Sequence, residues 1–137
     1  MASDDLVVRT FAVGDREPVA VLILAGMAER WGSVDESLNL DLRDIARSYA
    51  QGATLVAELS GKVVGTGTVV PRADGATEIV RMAVDPTCRR LGIARTLVEQ
   101  LVAVAVEWGS TRVVLETSAD WVDAVAFYLD CGFVATH

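Results

Sequence analysis

Residues 77–108 constrain this chain more than any other stretch. Thr77–Val84 is a short β-prone run, and Pro86 ends it. Leu91–Trp108 follows, with apolar residues at Leu91, Ala94, Leu97, Val98, Leu101, Val102 and Ala105. That spacing follows the 3.6-residue turn, so it predicts an amphipathic helix. Gly109 ends it. A Val- and Leu-rich strand, Arg112–Thr117, comes next. Strand, helix and strand in this order require a crossover and a parallel pair.

The joint between strand and helix is Asp85-Pro86-Thr87-Cys88-Arg89-Arg90-Leu91-Gly92-Ile93-Ala94. A helix start leaves backbone N–H groups unpaired and carries partial positive charge. Such an end binds phosphate. Gly92 has no side chain, Ala94 is small, and Arg89 and Arg90 add charge that pairs with phosphate. Taken alone, the stretch also reads as an ordinary solvated loop with a turning glycine. It is neither a Walker loop nor a dinucleotide fingerprint, because both glycine patterns are absent. Gly65-Thr66-Gly67 sits inside a strand and reads as a bulge or a site of close packing.

The remaining elements follow from pattern and punctuation. Leu6–Phe11 is β-prone, and Gly14-Asp15 offers a turn and a helix start, with Pro18 in the first turn. Val19–Trp31 reads as a mostly buried helix ended by Gly32. Leu38–Ala50 reads as a second helix with a polar face of Asp41, Arg43, Asp44 and Arg47. Ala53–Leu59 and Val63–Val70 flank the turn Ser60-Gly61-Lys62 and form a hairpin. Trp121–Asp130 is a further helix ended by Gly132, and Phe133–Thr136 begins a final strand. The order β-α-α-β-β-β-α-β-α-β describes a mixed α/β sheet with an antiparallel meander at its middle.

Length and charge narrow the function. At 137 residues the chain is expected to form one domain, spanning residues 1–137. Net charge is −7, with 19 acidic against 12 basic residues, which argues against nucleic acid as a partner. It suits a cationic small molecule or a basic peptide. No apolar run is long enough to span a bilayer, and the acidic start Met1-Ala2-Ser3-Asp4-Asp5 does not read as a signal peptide. The expectation is a cytoplasmic protein without a membrane partner. Cys88 and Cys131 stand apart, and His137 is the one histidine, so no metal site is expected.

Two segments together resemble the GNAT superfamily of N-acetyltransferases. The first is Met82-Ala83-Val84-Asp85-Pro86-Thr87-Cys88-Arg89-Arg90-Leu91-Gly92-Ile93-Ala94, similar to the family's Arg/Gln-x-x-Gly-x-Gly/Ala signature. The second is Ala124-Val125-Ala126-Phe127-Tyr128-Leu129-Asp130-Cys131-Gly132-Phe133. The resemblance implies the GNAT acyl-CoA N-acyltransferase fold, with acetyl-CoA as acyl donor and no metal. It implies that the backbone N–H groups of Arg90, Leu91, Gly92, Ile93, Ala94 and Arg95 hold the pyrophosphate, with Arg89 beside them by its charge as read above. Met82, Ala83 and Val84 would pair with the pantetheine arm as an added strand edge. The strand Arg112–Thr117 would splay from Thr77–Val84, with the thioester in the gap.

The resemblance also implies roles for side chains. Tyr128 matches the tyrosine that protonates the leaving thiolate; the other reading is that Phe127 and Tyr128 pack the helix on the sheet. Glu78 is the candidate base, read as alternating with Val80, Met82 and Val84 on one strand face. Its other readings are a solvent-facing glutamate or a partner of Arg81 or Arg112. Glu116 is the reserve, and base work through water is a third route. An N–H near Val84 is the candidate oxyanion donor. Trp108 reads as core; Trp31 and Trp121 read as packing residues or as a stack for a cationic acceptor.

Two departures stand out. Trp121 replaces an asparagine present in many relatives. The sequence stops at His137, four residues past Phe133, where most relatives continue into another strand. The last strand is then missing, supplied by a partner chain in a homodimer, or removed by shortening. The expected activity is acetylation of a primary amine on a small molecule or peptide. The rival is an acyl-CoA-binding sensor or assembly module without catalysis. A hydrolase is excluded by the lack of Gly-x-Ser-x-Gly and of a histidine besides His137.

Overall fold

A computed structural model describes residues 6–32, 37, 39–89 and 91–136. Its five-stranded sheet runs β1 (Leu6–Thr10), β2 (Ala53–Leu59), β3 (Lys62–Pro71), β4 (Thr77–Val84) and β5 (Val113–Val114), side by side in chain order. The first three pairings are antiparallel; β4 and β5 are parallel. The parallel pair and the meander expected from element order are both present. Among the described residues four α-helices accompany the sheet: α1 (Arg16–Trp31), α2 (Ile45–Ser48), α3 (Ile93–Glu107) and α4 (Val122–Asp130).

Alternation along the strands builds two cores. Leu55, Ala57, Val64, Val69 and Ile79 point to one face and meet Ile93, Leu97 and Leu101 of α3. Leu97, Leu101 and Ala105 of α3 are fully buried, as the helical spacing predicts. On the other face, Val56 meets Val19, Ala20 and Ile23 of α1 with Leu42 and Ile45. Threonines buried in the sheet satisfy one another. Thr54 and Thr68 hydroxyls lie 2.8 Å apart, and Thr66 donates to the Leu55 carbonyl at 3.0 Å. The β2–β3 turn is Ser60-Gly61, with φ of 52° and 83°, the left-handed pair that matches hairpin twist.

Several expectations change. α1 starts at Arg16 and buries only one face; Val21 is 59% exposed. Residues 40–50 do not form one helix: a 3-10 turn (Leu40–Arg43) precedes the one-turn α2. The break is at Asp44, whose φ of −148° is extended and whose carboxylate accepts from the Arg47 N–H at 3.2 Å. Asp44 is therefore a helix cap rather than part of a polar face. Leu38, the expected start, lies outside the described residues. Trp108 is 41% exposed: its spacing from Leu101 and Ala105 continues the buried stripe, but it is the C-cap of α3, past the last helical residue Glu107. Phe133–Thr136 forms no strand. Gly132 turns the chain at φ 102°, Phe133 N–H bonds the Tyr128 carbonyl, and the Phe133 side chain packs on the α3 core.

Candidate functional site

β4 changes character halfway along. Val80 pairs with Thr68 and Ala83 with Thr66, so Arg81 and Met82 together face the single residue Gly67. This is a β-bulge, and Arg81 takes a left-handed φ of 56° within it. Gly67 packs closely here: a Cβ would meet Met82 Sδ and lie 2.7 Å from Leu101 Cδ1, and both side chains would have to move. Both readings of Gly65-Thr66-Gly67, bulge and close packing, therefore hold at Gly67.

The bulge reverses the faces beyond it. Ile79, Met82 and Val84 pack on the α3 side, whereas Ala83 packs on the α1 side and Arg81 reaches Asp41 there. Glu78, which precedes Ile79, therefore shares the α1 face with Arg81 and Ala83. The expected alternation of Glu78 with Met82 and Val84 is corrected by this extra residue.

The bulge also bends the strand. β5 pairs with β4 only at Thr77 with Val113 and Glu78 with Val114. Residues 115–117, expected in that strand, make no strand pairing with β4. Among the described residues, no strand pairs with the β5-facing edge of β4 beyond Glu78, a stretch that includes Met82, Ala83 and Val84. The two strands form a fork with Glu78 at its closed end. Glu78 is half-buried and has no ion-pair partner among the described residues. Both arginines considered as its partners are engaged elsewhere: Arg81 pairs with Asp41 and Arg112 with Asp74. Glu116 is exposed and lies past the end of β5.

The loop after β4 leads from this edge to a helix end. Asp85 Oδ1 accepts from the Thr87 N–H at 2.9 Å and from its hydroxyl at 2.8 Å, and Cys88 N–H closes back on the Asp85 carbonyl. Those bonds hold the Asp85 carboxyl below its ordinary range, the Thr87 backbone bond contributing most. Gly92 adopts φ 79° as the N-cap of α3, and a Cβ there would meet nothing within 4 Å. The space above it is open to a ligand. Thr96 N–H makes the first helical bond, to the Gly92 carbonyl at 3.0 Å. The N–H groups of Ile93, Ala94 and Arg95 precede that ladder and gather at the positive end of α3. Ile93, 2% exposed, anchors the helix start, while Leu91 is 52% exposed. Arg90 lies outside the described residues.

Charged side chains tie this end together. Arg89 Nη2 meets Glu29 Oε1 of α1 at 2.6 Å. Arg95 pairs with Asp130 of α4. Arg30 of α1 grips Asp123 of α4 through two bonds of 2.7 and 2.9 Å and lies 4.9 Å from the centre of the Trp121 ring. Trp31 and Trp121 are tilted against each other, with centroids 5.3 Å apart. Trp31 nevertheless remains 58% exposed. α4 contains no fully buried residue, so these tethers set its position between the end of α1 and the start of α3.

Tyr128 lies on α4, with its ring edge-on to Phe127 at 5.1 Å and to Phe133 at 6.0 Å. The packing expected of the Phe127–Tyr128 pair is thus present, whatever further role the hydroxyl has. Burial pushes the phenol pKa above its ordinary value, Cys131 adds to this, and Arg30 opposes it. The hydroxyl has no hydrogen-bond partner among the described residues.

One cluster was not legible in the sequence. Arg81 donates to Asp41 twice, at 2.9 and 2.7 Å, and to Asn39 Oδ1 at 3.1 Å. The Tyr49 hydroxyl donates to the same carboxylate. Burial raises the Asp41 pKa, but the bonds from Tyr49 and Arg81 outweigh it and hold the carboxyl below its ordinary range. Nothing in the spacing of these residues links them; the bulge alone turns Arg81 toward them.

No group of three His, Cys, Asp or Glu among the described residues is arranged to hold a metal. No described helix is long and apolar enough to cross a membrane. Cys88 and Cys131 are free thiols.

A mixed sheet forked after its fourth strand, with a glycine-opened helix beside the fork, is the architecture of the acyl-CoA acyltransferase fold. The chain belongs to the Acetyltransferase (GNAT) family, whose sequence model matches residues 21–133. It is 37% identical to N-acetyltransferase 8F1 of Rattus norvegicus over 106 residues, 72% of this chain and 48% of the relative. It is 34% identical to N-acetyltransferase 8B of Homo sapiens over 111 residues, 75% of this chain and 49% of that one. The chain thus spans about half the length of these curated relatives. Among solved structures, a GNAT-family acetyltransferase from Staphylococcus aureus Mu50 superposes with a TM-score of 0.86. That match covers 94% of this chain and 84% of the other at 21% identity, a likeness of fold.

Proposed function

We propose that this chain transfers an acetyl group from acetyl-CoA to a primary amine of a small molecule or peptide, by direct attack in a ternary complex. The fork carries this reading. An open strand edge at Met82–Val84 suits the amides of a pantetheine arm. The free N–H groups of Ile93, Ala94 and Arg95, opened by Gly92, suit a pyrophosphate. Arg89 brings a charge to the same loop, where Glu29 also meets it, and Leu91 flanks the approach.

In the proposed reaction a neutral amine nitrogen attacks the thioester carbonyl. Glu78, directly or through water, takes the proton the nitrogen sheds. An N–H near Val84 faces the oxyanion of the tetrahedral intermediate. The carbon–sulfur bond then breaks, and the departing thiolate takes a proton from Tyr128. The products are an amide and the free thiol of coenzyme A. A phenol whose pKa is raised by burial stays protonated at neutral pH, as a proton donor must.

The test is to mix the protein with acetyl-CoA and a panel of amines and follow thiol release. Amine-dependent, saturable release supports the transferase. Saturable binding of acetyl-CoA without turnover across the panel overturns it in favour of a sensor or assembly module.

A further inference from the structure

We propose that Arg81 is a positioning residue that couples occupancy of the donor edge of β4 to the wall formed by residues 39–49. This rests on the reading of the fork as the coenzyme A site. Arg81 is the residue of the bulge with φ 56°, and its backbone directly precedes the open edge at Met82–Val84. Its side chain leaves on the opposite, α1 side. There it makes two bonds to Asp41, one to Asn39 and a 3.5 Å contact from Nη1 to Met27 Sδ. A single residue therefore has its main chain beside the donor edge and its side chain bound to both α1 and the 39–41 segment.

The far end of the connection is firm. Asp41 is held by Tyr49 as well as Arg81, and Leu42 and Ile45 on either side of Asp44 are buried under α1. The guanidinium and the carboxylate are each about one-quarter exposed, 22% and 24%. Their paired, planar geometry is one that an ammonium cannot reproduce. A strand added along Met82–Val84 would fix the torsions of the bulge. Fixing them fixes the origin of the Arg81 side chain, and through it the segment 39–49. A ligand at the edge then orders a wall it does not touch, which is coupling in the thermodynamic sense.

The test is amide hydrogen exchange of the full chain with and without coenzyme A, alongside calorimetric measurement of coenzyme A affinity. In the wild type, coenzyme A slows exchange across residues 39–49 by about fivefold or more. Arg81→Lys keeps the charge and the aliphatic stem; it binds coenzyme A within about threefold of the wild type yet loses that slowing. Asp41→Asn, made as a second variant with the β4 backbone untouched, loses it too. Undiminished slowing in both variants overturns the proposal, as does a wild type that binds coenzyme A without slowing residues 39–49. A wild type that binds no coenzyme A refutes the reading of the fork itself.

Discussion

Glu78 and Val114 form the last rung between β4 and β5, and the pairing of the two strands ends with them. The carboxylate thus stands where the fork closes, half-buried and without an ion-pair partner among the described residues. Glu78→Gln keeps size and polarity but cannot accept the proton. As the base, Glu78 carries roughly 10²–10⁴ of kcat, which the variant loses with coenzyme A affinity unchanged. Undiminished kcat in the variant removes Glu78 from the mechanism.

Tyr128→Phe keeps the contacts to Phe127 and Phe133 and removes only the hydroxyl. The acid acts when protonated, and its pKa is raised above 10, so the wild type retains activity up to and past the ordinary tyrosine range. The variant loses roughly 10²–10⁴ in kcat, with coenzyme A affinity unchanged. Steady-state rates across the alkaline range, paired with calorimetry, check both halves. Undiminished turnover in the variant assigns the tyrosine to packing alone.

Gly92→Ala separates conformation from packing. A Cβ at this position meets no protein atom within 4 Å, so its cost to the free protein is the left-handed backbone alone, about 1–2 kcal/mol. The same methyl group enters the space above the α3 amides. Urea unfolding should show the modest loss of stability, and calorimetry a loss of coenzyme A affinity of about tenfold or more, the latter equal to about 1.4 kcal/mol.

Gly67→Ala acts through packing instead. Its Cβ collides with Met82 Sδ and with Leu101 Cδ1, both beside the bulge. Overpacking at such a site costs about 1–3 kcal/mol, read as a lowered urea midpoint. The displaced neighbour is Met82, so coenzyme A affinity should fall as well.

Acid sensitivity has a specific source away from the fork. Asp15 is 8% exposed and receives two bonds from Arg9, at 2.7 and 2.9 Å, and one from the Ala12 N–H at 2.8 Å. Its pKa is lowered, chiefly by the hydrogen bonds from Arg9. A lowered folded pKa gives stability that is present above the unfolded value of 3.8 and lost as pH falls through the folded one. Asp15→Asn should cost about 1–3 kcal/mol at neutral pH and flatten the dependence of stability on pH below about 4. Urea midpoints measured from neutral pH downward test this.

What could be read from the sequence follows the range of the forces involved. The apolar stripe of α3, the hairpin turn at Ser60-Gly61 and the stop of α1 at Gly32 are local, and periodicity or glycine placement reports them directly. The helix end at Gly92 was legible for the same reason. The bulge at Arg81 was not, because it is set by what packs across the sheet at Gly67 and Leu101. Without the bulge, simple alternation puts Met82 and Val84 on the wrong face and makes β5 too long. The Arg81–Asp41 pair was hidden for a related reason. Asp41 reads as one more polar residue on a helix until Asp44 is seen to cap the short α2 and end that helix's claim on it.

The proposed transfer depends on where coenzyme A meets the chain. Backbone amide shifts, followed by nuclear magnetic resonance as coenzyme A is added, measure this residue by residue. Saturable shifts concentrated at Met82, Ala83, Val84, Ile93, Ala94 and Arg95 are the expected result. Saturable shifts confined to the cleft lined by Arg16, Leu24, Leu42 and Arg43, with the fork unmoved, would contradict it.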